Sequence, residues 1–301
     1  MVKKTDIISA LCDDSIAIMT RRNFLKASAV AVAALVLPVG FTACDTDARP
    51  TGELALRFAT ASDTHYQGRQ SDMDCLNDLV QWLNAEKQNS GLDLFVHCGD
   101  ISHSSATSAS ELATVKAYLD KNLNMPWHAA RGNHDFVNDA DWQAIMGTSV
   151  NHALTIGKCG FIIGSSTDGV GGNPSCIETT WLSEQLSNMS NRNYTFFFSH
   201  IYPDNDVQGG EVVNQCPEVL TLLAATNNFG ASYHGHMHTT DYIVNNGSVC
   251  YCFDGHSGDT WGTVYRGYRI TEVFKNGAVY TYQYNPGTGE MVNSRLMRSG
   301  A

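Results

Sequence analysis

The chain has 301 residues and a formal charge of −11, and its first 43 residues contribute five positive and three negative charges, so the 258 that follow carry −13 with 14 Lys and Arg. That length suffices for one large α/β domain with a substantial core. So few cations disfavour the basic track that a polymer nuclease lays along phosphates, so no nucleic acid polymer is expected as a partner.

In chain order, Thr20-Arg21-Arg22-Asn23-Phe24-Leu25-Lys26 precedes an uncharged stretch rich in alanine and valine, Ala27 to Ala43. This resembles a twin-arginine export signal. The other readings are a membrane anchor or a buried helix; Pro38 and Gly40 interrupt the stretch and argue against a durable span. Met19, just before the paired arginines, offers an alternative start to Met1. The stretch ends Val39-Gly40-Phe41-Thr42-Ala43-Cys44, which resembles a bacterial lipobox with Cys44 as the lipidated residue, although Phe41 is unusual at its position. The alternative is a soluble exported enzyme cleaved nearby. The resemblances imply a signal segment over 1–43, the twin-arginine translocation machinery as a partner, and a protein of the cell envelope or periplasm, tethered to the membrane through a lipid on Cys44. Residues 44–53 are polar, contain Pro50 and Gly52, and read as a flexible tether.

A single domain follows over 54–301. Leu54 to Thr60 reads as a strand, Ser71 to Lys87 as a helix with Met73, Leu76, Leu79, Val80 and Leu83 at helical spacing, and Leu92 to Cys98 as a short apolar strand. A helix over Ser108–Leu123, a strand near Trp127–Ala130 and a helical piece near Trp142 come next. Ala153–Ile156 and Cys159–Ser165 suggest a hairpin across Gly157-Lys158. A helix around Trp181–Leu186, the strand Tyr194–Ser199, a strand near Ala231–His234 and four late strands (Tyr242–Val244, Val249–Phe253, Tyr265–Val273, Ala278–Tyr284) complete the pattern. Seven cysteines follow Cys44 without a Cys-x-x-Cys metal pattern, so structural zinc is not expected; one or two disulfides could form after export, with the pairing open.

Five short blocks carry the chemistry: Asp63-Thr64-His65, Gly99-Asp100, Gly132-Asn133-His134-Asp135, His200, and Gly235-His236-Met237-His238. Hydrolysis of a phosphate ester needs a strong nucleophile and relief from charge repulsion. Two cations roughly 3.5–4 Å apart supply both, and holding them takes about seven oxygen and imidazole ligands. Asp100, after a buried strand and a permissive glycine, is the candidate for the carboxylate shared by both cations. Gly132 and Gly235 let the backbone approach closely.

In this order the blocks resemble the calcineurin-like metallophosphoesterase superfamily, from about Leu54 to His238. The resemblance implies a four-layer α/β/β/α sandwich of the metallo-dependent phosphatase type. It also implies two divalent or trivalent metal ions (Fe, Mn or Zn), one held by Asp63, His65, Asp100 and His238 and the other by Asp100, Asn133, His200 and His236. His134 corresponds to the histidine that contacts the phosphate and protonates the leaving oxygen. The implied activity is hydrolysis of a small phosphodiester or phosphomonoester, cyclic nucleotides included. The alternative is a surface-anchored binding protein that keeps the metals and has lost turnover. One departure stands out: many members carry Asp three residues after the shared aspartate, where it orients the phosphate-contacting histidine, and purple acid phosphatases carry a tyrosine ligand there. Here the residue is His103. His103, Asp135, Tyr202 and His256 are therefore candidates for supporting the ligands or touching substrate, with Asp135 able to take over the orienting role. The Gly-rich loop Asp168–Ser175 and the loop Ile201–Gln215 are candidates for shaping the pocket, and Asp254 for lining it. His97, His128, His152 and His234 read as structural.

Overall fold

The computed structural model describes residues 47–204 and 215–300, all within one compact unit running from Cys44 to Ala301. The arginine-led segment, Cys44 and the middle of the Ile201–Gln215 loop lie outside the described residues.

Two six-stranded sheets face each other. The first has the order β12-β11-β10-β1-β2-β3 and the second β4-β5-β6-β7-β9-β8. The strands are β1 (Leu54–Ala61), β2 (Leu94–His97), β3 (Trp127–Ala129), β4 (His152–Ile156), β5 (Cys159–Ile163), β6 (Tyr194–Phe198), β7 (Phe229–His234), β8 (Ile243–Asn246), β9 (Val249–Phe253), β10 (Tyr268–Phe274), β11 (Val279–Asn285) and β12 (Glu290–Arg298). Pairing is parallel along β1-β2-β3 and β5-β6-β7-β9, and antiparallel at the flanks.

The period-two alternation of strands sorts the side chains into layers. In β6, Phe196 and Phe198 enter the space between the sheets, while Phe197 points to the outer face. In β9, Cys250 and Cys252 point inward and Tyr251 and Phe253 outward. Phe58 of β1 is the wedge of this inner layer: its ring lies 5.0 Å from Phe196, 5.3 Å from Phe161 and 5.5 Å from Tyr233, all across the sheet interface. Burying one such ring contributes about 2–3 kcal/mol. On the outer face of the first sheet, α1 (Gln70–Ser90), α2 (Ser108–Asn122) and α3 (Asp139–Met146) bury Leu79, Leu83, Leu112, Val115 and Trp142. On the outer face of the second, α4 (Thr179–Asn188) and α5 (Pro217–Ala225) bury Leu182, Leu186, Val219 and Leu223. The result is the four-layer α/β/β/α sandwich.

A buried ion pair also joins the sheets. Arg269 of β10 and Asp254, just after β9, are both fully buried, with Nε 3.4 Å from Oδ1. Burial pushes the Asp254 carboxyl up to about 7 against the pull of Arg269. Asp254 thus serves the sheet interface rather than lining a pocket. Residues 47–53, read as tether, lie against the first sheet: Arg49 forms a two-bond pair with Glu272 (2.6 and 2.9 Å), and Asp47 accepts the backbone N–H of Leu296 (2.8 Å). Cys176 and Cys216 form a disulfide. It joins the end of the Gly-rich loop to the start of α5. Among the described residues, no helix is long and apolar enough to cross a membrane.

Candidate metal centre

The parallel strands deliver the five blocks to one edge, as open α/β sheets do. The turn after β1 carries Asp63 and His65, that after β2 carries Asp100, and that after β3 carries Asn133 and His134. From the second sheet, β6 delivers His200, and β7 delivers His236 and His238. The first two turns are zipped together: Asp63 N–H donates to Gly99 O and His65 N–H to Asp100 O, each at 3.0 Å. Asp63, His65, Asp100 and His236 all have φ between 47° and 66°, the left-handed region that non-glycine residues rarely adopt. Such backbone persists only where the surroundings fix it, and it concentrates at functional sites.

The side chains converge. His238 Nε2 lies 3.0 Å from Asp63 Oδ1, while Asp100 Oδ2 lies 3.4 Å from His65 Nε2 and 3.2 Å from His200 Nε2. Asn133 Oδ1 is 3.0 Å from His200 Nε2 and 2.9 Å from His236 Nδ1. Two donor groups result, Asp63-His65-Asp100-His238 and Asp100-His200-His236, each with its donor atoms within 4.8 Å of one another. Asp100 belongs to both. Carboxylate and amide oxygens mixed with imidazole nitrogens form a donor set suited to first-row transition metals. The backbone leaves room for nothing larger than glycine: a Cβ on Gly132 would sit 2.1 Å from Asp100 Oδ1, and one on Gly235 2.7 Å from Asp63 Oδ2.

The far ring nitrogens fix which atoms face the centre. His200 Nδ1 donates to the Cys98 carbonyl (2.8 Å) and His238 Nδ1 to the Trp261 carbonyl (2.9 Å), so each turns Nε2 inward. Burial alone would lower the His200 pKa, but Asp100 and Asp63 raise it to about 9; His238 is raised likewise, against burial, by Asp63. Burial would raise the Asp63 carboxyl, yet His238 and His65 hold it well below the usual range, and His200 and His65 lower Asp100 in the same way. Carboxylates that hold protons on these rings this firmly can equally hold cations.

His97, fully buried, braces the oxygen side. Gly99 N–H donates to its Nδ1 (3.2 Å), so its Nε2–H must donate to Thr64 Oγ1 (2.7 Å), and burial keeps it neutral down to about 4. His234 bonds to Ser199 and Ser232, and His128 pairs with His152.

The geometry departs from two expectations. The orienting role falls not to Asp135 but to the backbone carbonyl of His103, which accepts from His134 Nδ1 at 3.1 Å. The Asp135 carboxylate is instead fully buried and accepts from the N–H groups of Asp100, Ser102 and Gly132 (3.1, 2.9 and 2.8 Å), pinning two site turns together. Burial, then the neighbouring Asp100 charge, raises its pKa. Tyr202 turns into the core, its ring packed against His234, Tyr251 and Phe253. Both ring nitrogens of His256 lie against carbonyls of one loop, Gly258 (3.0 Å) and Thr263 (3.1 Å), and its ring stacks on His238 at 6.2 Å. His103 Nδ1 lies 3.0 Å from His65 Nδ1, and the His103 ring stacks on His134 at 5.0 Å.

Two residues escaped the sequence reading. Arg131, buried beside the Gly132 block, reaches Val137 O and Thr167 O (3.1 Å each) and ties that block to the Gly-rich loop. Trp261 stacks on His238 at 4.6 Å, the product of a loop with no periodic signal. A basic residue adjoining Gly-Asn-His-Asp was the one available hint for Arg131.

The calcineurin-like phosphoesterase profile matches residues 56–240, so the chain belongs to that family and is a metal-dependent phosphoesterase. The profile of the twin-arginine translocation pathway signal sequence matches residues 19–38. No curated protein matches the chain in sequence. In structure, the chain is similar to a dimetal phosphatase from Danio rerio, with TM-score 0.65, 14% identity, and coverage of 82% of this chain and 100% of that one. It is also similar to a purple acid phosphatase from seeds of yellow lupin, Lupinus luteus, with TM-score 0.58, 12% identity and coverage of 83% of this chain. The match spans 54% of the lupin chain. At these identities the likeness is one of fold.

Proposed function

We propose that this chain hydrolyses small phosphate esters outside the cytoplasm, using two metal ions held by seven side chains. Asp63, His65, Asp100 and His238 would hold one ion, and Asp100, Asn133, His200 and His236 the other, the ions being Fe, Mn or Zn. When bound, such a pair activates water as the nucleophile and neutralises the phosphoryl oxygens. The observation that carries the reading is the position of Asp100 Oδ2, within 3.4 Å of ring nitrogens from both donor groups.

Asn133 contributes an uncharged oxygen, which limits the negative charge facing an anionic substrate. His134 has its Nδ1–H committed to the His103 carbonyl, leaving Nε2 as the atom that can pass a proton to the departing alkoxide. Asp100 Oδ1 accepts the backbone N–H of His134 at 2.8 Å, so the proton donor is registered to the shared carboxylate. The charge of −13 on residues 44–301 disfavours polyanions and leaves small mono- and diesters, with cyclic nucleotides among them.

Residues 1–43 would serve as the export signal, 44–53 as the tether carrying a lipid on Cys44, and 54–301 as the enzyme domain at the cell envelope. Export in folded form suits a centre loaded before translocation.

The test assays the exported protein with bis- and mono-p-nitrophenyl phosphate plus manganese, alongside elemental analysis. Two metals per chain and turnover of at least one ester are expected, with His134→Ala losing about 10²- to 10⁴-fold. Bound metal without hydrolysis of any ester would favour a binding protein instead.

A further inference from the structure

Trp261 is one of few large apolar side chains left in solvent among the described residues, 61% exposed in a chain that buries most of its rings. It is not a loose surface residue. Its indole stacks on His238 (4.6 Å, 23°) and lies 6.2 Å from the His65 ring, at 33° to it. Its carbonyl accepts from His238 Nδ1 (2.9 Å).

The loop that carries it is fastened to the site from several directions. Ser257 N–H donates to Ser62 O (2.9 Å), Gly258 N–H to Asp63 O (3.2 Å), and Thr263 N–H to His238 O (2.9 Å). His256 spans the loop with both ring nitrogens. A Cβ on Gly258 would fall 1.8 Å from the Thr64 carbonyl, so the loop presses directly onto the Asp63–His65 turn. The indole therefore has one side occupied by the metal centre and presents the rest of its surface to whatever approaches.

His65, which the indole neighbours, also meets other rings. His134 lies 4.8 Å from His65, with His103 stacked on it at 5.0 Å and Phe136 edge-on at 5.6 Å. The leaving alcohol departs on the His134 side under the function proposed above, so it emerges into a mouth rimmed by flat surfaces. Flat faces with little charge favour stacking over hydrogen-bond readout.

We infer that Trp261 is a specificity-determining residue, stacking on a planar aromatic ring carried by the alcohol part of the phosphate ester. A nucleoside and an aryl alcohol both provide that ring. This rests on the phosphoesterase reading, and the experiment separates the two.

The exported, manganese-loaded protein is assayed with adenosine 5′-phosphate, phenyl phosphate and glycerol 2-phosphate, for the wild type, Trp261→Leu and Trp261→Phe. The ratio of kcat/KM for the aromatic ester to that for the glycerol ester falls about tenfold in Trp261→Leu, chiefly through KM, and Trp261→Phe keeps most of it. The aromatic ester that loses more identifies the source of the ring. In parallel, adenosine and phenol are titrated into chelator-treated protein with tryptophan emission as the readout; quenching by one of them, absent with glycerol and absent in Trp261→Leu, is expected. An unchanged ratio in Trp261→Leu, or no quenching by either ring in the wild type, overturns the inference while leaving the phosphoesterase reading intact. Failure of the wild type to cleave any ester defeats that reading, and the quenching arm then still decides the role of Trp261.

Discussion

The two sheets contribute different chemistry to the centre. All the oxygen donors, Asp63, Asp100 and Asn133, come from turns after β1, β2 and β3 of the first sheet, which adds a single imidazole, His65. The second sheet supplies imidazoles alone: His200, His236 and His238. Neither set is complete by itself, so the donor cage exists only when the sheets are packed. Both carboxylates lie on one half and three of the four imidazoles on the other, so the contacts between sheets are what bring the donor groups together.

Four experiments break or sharpen this division. The largest effect is expected from Asp100→Ala, since both donor groups lose a member: about 10⁴-fold or more in kcat/KM, over 5 kcal/mol at the transition state, with both metals lost in elemental analysis. His200→Ala, on the imidazole side, should retain one metal; loss of both would show that the halves are not separable. Next comes Arg269→Met, which cuts the buried tie between the sheets. Removing one partner of such a pair costs 3–5 kcal/mol; about 3 kcal/mol is expected in denaturant unfolding, because Asp254 can take up a proton.

The third concerns pH. His97 stays neutral in the folded chain down to about 4, whereas an unfolded histidine titrates near 6.5. Between those values the unfolded state binds more protons, so stability is lost as pH falls from about 6.5 to about 4, by on the order of 3 kcal/mol. His97→Gln in chelator-treated protein should flatten that limb relative to the wild type, read from melting temperature against pH. The smallest effect is that of His103→Ala, which leaves the His65 Nδ1 without its partner: about 10- to 100-fold in metal affinity, with His103→Asn closer to the wild type.

The division between sheets also explains what the sequence made legible. Strands buried on both faces are continuous apolar runs, so β1, β2, β6 and β9 stood out, and each ligand block followed such a run or a strand near it. The hairpin across Gly157-Lys158 joins β4 and β5 as expected. By contrast β12, Glu-Met-Val-Asn-Ser-Arg-Leu-Met-Arg, is a half-exposed edge strand without clean alternation, and it escaped, as did the short α5. Supporting roles were less legible than ligand identities. A backbone carbonyl orients His134, and any residue at 103 has one, so side-chain type gave no sign of it. Tyr202 was placed by proximity to His200, but alternation past the strand end turns it into the core. The Cys176–Cys216 pairing depends on two loops meeting in space, which spacing does not encode.

The docking of Arg49 and Asp47 onto β10 and β12 sets a length scale. Only two residues separate Cys44 from Asp47, and three Cα steps fully extended reach about 10 Å. If Cys44 carries the acyl chain proposed above, that reach would keep the enzyme within a short leash of the bilayer surface, limiting its tumbling and reserving it for esters that diffuse close to the lipid.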